Sequence, residues 1–199
     1  MRALMTCIVA ILTAIPVHAQ EKLESSEASF FVQTSGGSPA VCGFDAILMY
    51  RDQTYRRGAL AGIRTSLEWL EDKGNIGLLL KVSGVDFPNA DKQDMTPKLF
   101  RVDHSFVAVD GKPFAPANSN RCEEPAAFCG WYWLPDSAVI SAALPPGKLT
   151  IGFNREANGL DIRLPIDPAD SVRAKPDEFR TFATCMTTLA DRAKTKARN

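Results

Sequence analysis

Net charge is the first thing this 199-residue chain lacks: 23 Lys and Arg stand against 23 Asp and Glu. That balance supplies no bulk field for binding nucleic acid or an anionic membrane surface. Histidine is nearly missing, with His18 and His104 alone, so imidazole-based catalysis would rest on a single ring once an N-terminal leader is removed. His104 also follows Asp103 directly in a strand-like stretch, where neighbours point to opposite faces, so the two do not form a base and its orienting carboxylate. There is no C-x-x-C and no histidine near a cysteine, which argues against a zinc site. No G-x-S-x-G, H-E-x-x-H, P-loop or dinucleotide fingerprint occurs, and no motif calls for a cofactor.

Long apolar runs are also scarce. The one at residues 1–19 has a single basic residue, a stretch too short to span a bilayer and a small-residue end at Val17-His18-Ala19. It reads as a secretory signal peptide, with the mature chain starting at Gln20. No cysteine sits at that junction to carry a lipid anchor, and no later segment reads as a membrane span. The expected location is the periplasm or the extracellular space. Residues 20–27 are polar and charged apart from Leu23 and read as a flexible leader. Residues 28–199 then read as a single disulfide-stapled, β-rich domain with a C-terminal helix.

Cys7 leaves with the signal, and Cys42, Cys122, Cys129 and Cys185 remain. An even number in an exported chain points to two disulfides, for which three connectivities exist. Chain entropy does not choose: Cys122–Cys129 with Cys42–Cys185 gives about 2.5 and about 5 kcal/mol, and Cys42–Cys122 with Cys129–Cys185 gives about 4 to 4.5 kcal/mol each. Proximity favours the first pairing, since Pro125 helps turn the six intervening residues back.

Strand signals dominate. Phe30–Thr34, Ala40–Tyr50, Leu78–Val82, Leu99–Val109, Lys148–Asn154 and Leu160–Ile166 carry β-rich or alternating patterns, and an apolar segment runs from Ala138 to Leu144. Turn signals include Asp110-Gly111 and Asn158-Gly159. The segment 59–74 reads either as a helix, from Leu60, Ile63, Leu67 and Leu70, or as part of a hairpin turning at Asp72–Asn75; the strand-like neighbours favour the hairpin. Residues 176–194 read as an amphipathic helix, with Phe179, Phe182, Cys185, Met186 and Leu189 on one face. The expected fold is mainly β (α+β), an antiparallel β-sandwich-like domain closed by that helix.

The most distinctive stretch is Cys122 to Trp133, which ends in Trp131-Tyr132-Trp133. On a strand the two tryptophans share a face and Tyr132 takes the other. Facing inward they are core, the reading the sequence favours; facing outward they form an aromatic platform for sugar rings or a protein partner. Trp131, Tyr132 and Trp133 are therefore the candidate binding residues, with the Asp86–Pro97 loop as a second candidate surface. Carboxylates at Glu71-Asp72, Asp91, Asp94 and Glu123-Glu124 are the raw material for a glycosidase-like pair.

Around this stretch the chain resembles the invasion-associated locus B family of bacterial envelope proteins. The likeness lies in the signal, in Val107-Ala108-Val109-Asp110-Gly111, in the close pair Cys122 and Cys129, in Leu149-Thr150-Ile151-Gly152-Phe153 and in the final helix. It covers the second half of the chain; the opening around Cys42 and the interval from Arg51 to Lys98 depart from the family pattern. The resemblance implies a non-enzymatic periplasmic β-rich domain and supplies no catalytic residues. The expected function is an exported envelope binding or accessory protein whose partner is an envelope protein or a cell-wall glycan. A hydrolase of cell-wall or sugar substrates using loop carboxylates, and a thiol-disulfide redox protein, are the alternatives.

Overall fold

A computed structural model describes residues 21–122, 126–133 and 148–196, without the side chains of residues 120, 121 and 133. The expected signal peptide, the Glu123-Glu124 pair and the apolar segment 138–144 lie outside the described residues. Four long strands come first: β1 (Lys22–Ser35), β2 (Ser38–Asp52), β3 (Ala59–Asp72) and β4 (Asn75–Asp86). They form an antiparallel meander joined by two-residue turns at Gly36-Gly37 and Lys73-Gly74 and by a longer loop at 53–58; Lys73 and Gly74 both adopt positive φ.

The segment 59–74 is thus a strand and the turn that follows it, not a helix. Ala61, Ile63, Leu67 and Trp69 alternate inward with Gly62, Arg64, Ser66 and Glu68 outward, and that period of two decides the matter. The expected leader at 20–27 is corrected in the same way. From Lys22 onward it is the first half of β1, paired with β2 from Lys22↔Arg51 to Glu27↔Ile47 with a register shift at Glu24. Its polar composition suits an edge strand with a wet face, held mainly by backbone pairing and the Glu24–Arg51 ion pair, with Leu23 as its apolar contact to the core.

After β4 a short 3-10 turn leads to β5 (Lys98–Phe100), which pairs with the far end of β4. The chain then leaves the sheet. β6 (His104–Val109), β7 (Lys112–Phe114), β10 (Leu149–Asn154) and β11 (Ile162–Ile166) make a second, four-stranded sheet in the order β11-β10-β6-β7. The stretch 99–109 is therefore two strands in different sheets, with Val102 and Asp103 as the crossing. β8 (Asn118–Arg121) and β9 (Phe128–Trp133) return to the first sheet, in the order β1-β2-β3-β4-β9-β8.

Two helices close the chain. α1 (Pro168–Ala174) is capped by Asp167, whose side chain accepts from the Ala169 amide, with Pro168 suited to the first turn. α2 (Pro176–Lys196) lays Phe182, Cys185, Met186, Leu189 and Ala193 onto the large sheet. The inner face of that sheet is covered at one end by α2 and at the other by the small sheet. Under the helix, Phe30 meets Phe44 at 5.2 Å and Phe182 at 4.9 Å, and Trp69 meets Phe182 edge-on at 5.6 Å. Under the small sheet, Tyr50 meets Phe153 edge-on at 6.2 Å.

The cysteines pair as Cys42–Cys185, which pins α2 to β2, and Cys122–Cys129, which closes a short loop onto β9; their Cα atoms are 5.8 and 5.4 Å apart. A second clasp holds the far end of the helix. Lys196 Nζ reaches Glu71 Oε2 at 2.7 Å, and Glu71 Oε1 accepts from the Gly74 amide at 2.8 Å. Those two bonds, led by Lys196, hold the Glu71 carboxyl below its ordinary value.

Two measurements test this frame. Replacing Cys42 and Cys185 by Ala is expected to lower stability by up to about 5 kcal/mol, against about 2.5 kcal/mol for Cys122 and Cys129, because the first closes much the longer loop; urea midpoints that reverse the order would refute the assignment. For Glu71, a carboxyl lowered in the folded state stabilises the fold above its unfolded value and loses that contribution as pH falls through the folded one. Glu71→Gln is therefore expected to destabilise at neutral pH and to match the parent once the pH is well below about 4; an equal gap at both pH values would exclude the clasp.

Candidate functional site

The alternation that buries one face of the large sheet presents the other to solvent, and the register determines which side chains meet there. One row across the sheet runs Phe31, Gly43, Glu68, Leu79 and Trp131; the next runs Ser29, Asp45, Ser66, Lys81 and Cys129. These rows form a groove of about 720 Å³ lined by Phe31 and Gln33 on one side, Trp131 and the Cys122–Cys129 bond on the other, and polar residues between.

The floor of the groove is a set of paired charges. Arg64 donates to Asp45 at 3.0 Å, and Lys81 donates to Glu68 at 2.8 Å, with the Ser66 hydroxyl donating to the same Glu68 oxygen at 3.2 Å. Arg64 remains two-thirds exposed while Glu68 is largely covered, so the cations present themselves to solvent more than the anions do. The walls are aromatic. A Cβ on Gly43 would overlap the Phe31 ring, so this glycine lets the phenyl lie flat over the strand opposite it. Phe100 over Gly84 and Phe106 over Gly152 repeat the device elsewhere.

The three candidate aromatics separate. Trp131 is half-buried on the outer, solvent side, beside the disulfide, which corrects the inward orientation favoured by sequence. Tyr132 points inward: its hydroxyl accepts from the Val107 amide at 3.3 Å, and burial pushes its pKa well above the ordinary tyrosine range. It fastens the two sheets and is not available as a contact surface. The Trp133 backbone pairs with Gly77, and its side chain lies outside the described residues. Cys42 and Cys185 are buried on the inner face, away from the groove.

His104 is half-buried with its ring edge-on to Phe128 at 5.5 Å. In the Asp86–Pro97 loop, Asp94 is occupied by Thr96 and Asn89, and Asp86 is not a surface group at all. Asp86 belongs to a buried cluster around Arg155. The guanidinium reaches Asp52 at 2.7 Å, Asp86 at 2.9 Å and the Tyr50 hydroxyl at 3.1 Å, and lies 3.5 Å from the centre of the Phe100 ring. Burial alone would lower the Arg155 pKa, but the contacts to Tyr50, Asp52 and Asp86 together raise it. Asp52 is fully buried and Arg155 8% exposed, so the cluster is a bolt between the sheets.

Phe31, Asp45, Arg64, Glu68 and Lys81 were not singled out from sequence. Their signal was the period-two order of Arg64, Ser66, Glu68 and of Leu79, Lys81, Ser83, which places each set on one face but names no function. Among the described residues no group of three or more His, Cys, Asp or Glu is placed to hold a metal ion, and no helix is long and apolar enough to cross a membrane. Comparison with family models, with curated proteins and with solved structures finds no match.

Arg155→Ala is expected to cost about 3–5 kcal/mol, since it leaves the fully buried Asp52 without its cation and Asp86 with Arg56 alone. Arg155→Lys should fall between, because an ammonium lacks the planar fork. A loss from Arg155→Ala below about 1 kcal/mol in urea unfolding, the size of a surface ion pair, would refute the bolt.

Proposed function

We propose that the protein is an exported envelope binding or accessory protein that uses the outer face of its large sheet as the contact surface. The observation that carries this reading is the groove itself, where Trp131, Phe31 and a floor of hydrogen-bonding charges converge on one exposed face. A face that served only to meet water would not need an aromatic ring at each side. Export is supported by the N-terminal signal pattern and by two disulfides, which persist in oxidising compartments. The resemblance to the invasion-associated locus B family points in the same direction.

The hydrolase alternative gains less from the geometry. Asp91 and Asp94 lie outside the groove, and its two carboxylates, Asp45 and Glu68, are each engaged by a cation. The redox alternative has one favourable feature, the position of the Cys122–Cys129 bond in the groove wall.

The test is photo-crosslinking in intact cells, with the crosslinker in place of Gln33 at the groove wall or of Thr181 on the exposed side of α2. A discrete adduct from the Gln33 position and none from Thr181 is the expected result. Identical adducts from both positions, or none from either, would overturn the assignment.

A further inference from the structure

The chemical character of the groove narrows what can occupy it. Its floor alternates in sign, Asp45 beside Arg64 and Glu68 beside Lys81, and sums to no charge. A cationic segment would meet the two more exposed cations first, and an anionic polymer would meet cations whose charge is already matched by Asp45 and Glu68. An apolar helix or sheet laid across the floor would desolvate four charged groups and return no hydrogen bonds. A hydroxyl group both donates and accepts, so neighbouring hydroxyls on a sugar ring can satisfy a carboxylate and an ammonium or guanidinium side by side without displacing either from its partner.

The walls add a second constraint. The faces of a pyranose carry C–H groups that pack on an aromatic ring, and Trp131 presents such a ring beside Leu79 and the disulfide. Phe31 lies in the same row with its ring over Gly43 on β2, three strands from Trp131, a separation of roughly 14 Å at ordinary strand spacing. One sugar ring cannot touch both, so a ligand that uses both walls is a chain running across the strands.

Resting on the binding reading above, we infer that the groove takes a neutral polysaccharide strand, with one ring stacked on Trp131, another near Phe31, and the hydroxyls between them met by the Asp45–Arg64 and Glu68–Lys81 pairs. Trp131 and Phe31 set the two ends, and because each cation is held by its own carboxylate the floor carries no net charge and binding is tolerant of salt.

The test measures binding of the mature protein to neutral β-glucan, mannan and chito-oligosaccharides of increasing length, with polygalacturonate as an anionic polymer and an unstructured polypeptide as controls. Affinity is expected to rise with oligosaccharide length and then level off, to change little with added salt, and to fall on the order of tenfold or more in Trp131→Ala. Gly43→Ala displaces the Phe31 ring without removing a groove side chain; it is expected to abolish the advantage of the longer chains and spare the shorter ones. Circular dichroism confirms that both variants are folded.

Failure of the parent to bind any neutral oligosaccharide would overturn the inference, as would undiminished affinity in a folded Trp131→Ala variant or binding confined to polygalacturonate or the polypeptide. A Gln33 adduct that proves to be protein alone would overturn it too, while leaving the binding reading in place.

Discussion

Covering one side of a long sheet is the requirement that organises this molecule. β1 to β4 run 12 to 15 residues each, a length of roughly 40 to 50 Å. The opposing strands β6 and β10 are six residues long, roughly 20 Å, and cannot cover it. Helix α2, at 21 residues, spans roughly 31 Å and takes the remainder. Phe30, Phe44 and Trp69 lie under the helix, Tyr50 under the small sheet, and one apolar layer continues beneath both covers. The Cys42–Cys185 bond and the Glu71–Lys196 contact then act at two separate points along α2.

A sheet with two different covers has a seam where they meet, and the polar residues of the interior gather where the chain passes between layers. Arg155 follows the end of β10 and binds the ends of β2 and β4 through Asp52 and Asp86. Tyr132 sends its hydroxyl from β9 to the Val107 amide of β6. Both groups are buried, so their value lies less in net stability than in fixing how the small sheet is oriented on the large one: any other alignment leaves a charge or a hydroxyl unpaired. Glu21 performs a related service at the surface, accepting from the Gln53 and Thr54 amides to close the turn after β2.

What was legible in the sequence follows from which forces are local. Leu78–Val82 carries a nearly continuous apolar run that suggests a strand buried on both sides; the strand is there, but Leu79 and Lys81 face the groove. The apolar face of α2 is periodic, and the helix stands where that pattern places it. The segment 59–74 fitted two periods because Leu60, Ile63, Leu67 and Leu70 also fall on a helical stripe; pairing with β2 and β4 on both sides decided for the strand. The first half of β1 reads as a leader because it is polar, whereas a polar edge strand is held by its neighbour's backbone, which no local pattern reports. α1 is too short to give a periodic signal, although Asp167-Pro168 is a sound opening for a helix. The orientation of Trp131 is hidden for a related reason: alternation shows that two residues share a face, but which face is inside depends on where the second sheet and the helix come down.

The same argument bears on the groove. Each strand contributes a pair of outward residues that look unremarkable in its own segment, and only the register turns them into a row. Phe31 lies flat because the residue opposite it on β2 is glycine, and Trp131 stands beside the disulfide because Cys129 precedes it by two on the same strand. A solvated face needs charges, but it does not need them bracketed by aromatic rings, one of them laid over a glycine and the other beside a disulfide. Strands carry Phe31, Asp45, Arg64, Glu68, Lys81 and Trp131, so the spacing of these groups is set before any ligand arrives and little ordering of them is required on binding. That preorganisation separates this face from the exposed Leu99 and Leu160, isolated apolar side chains of the kind every protein surface carries.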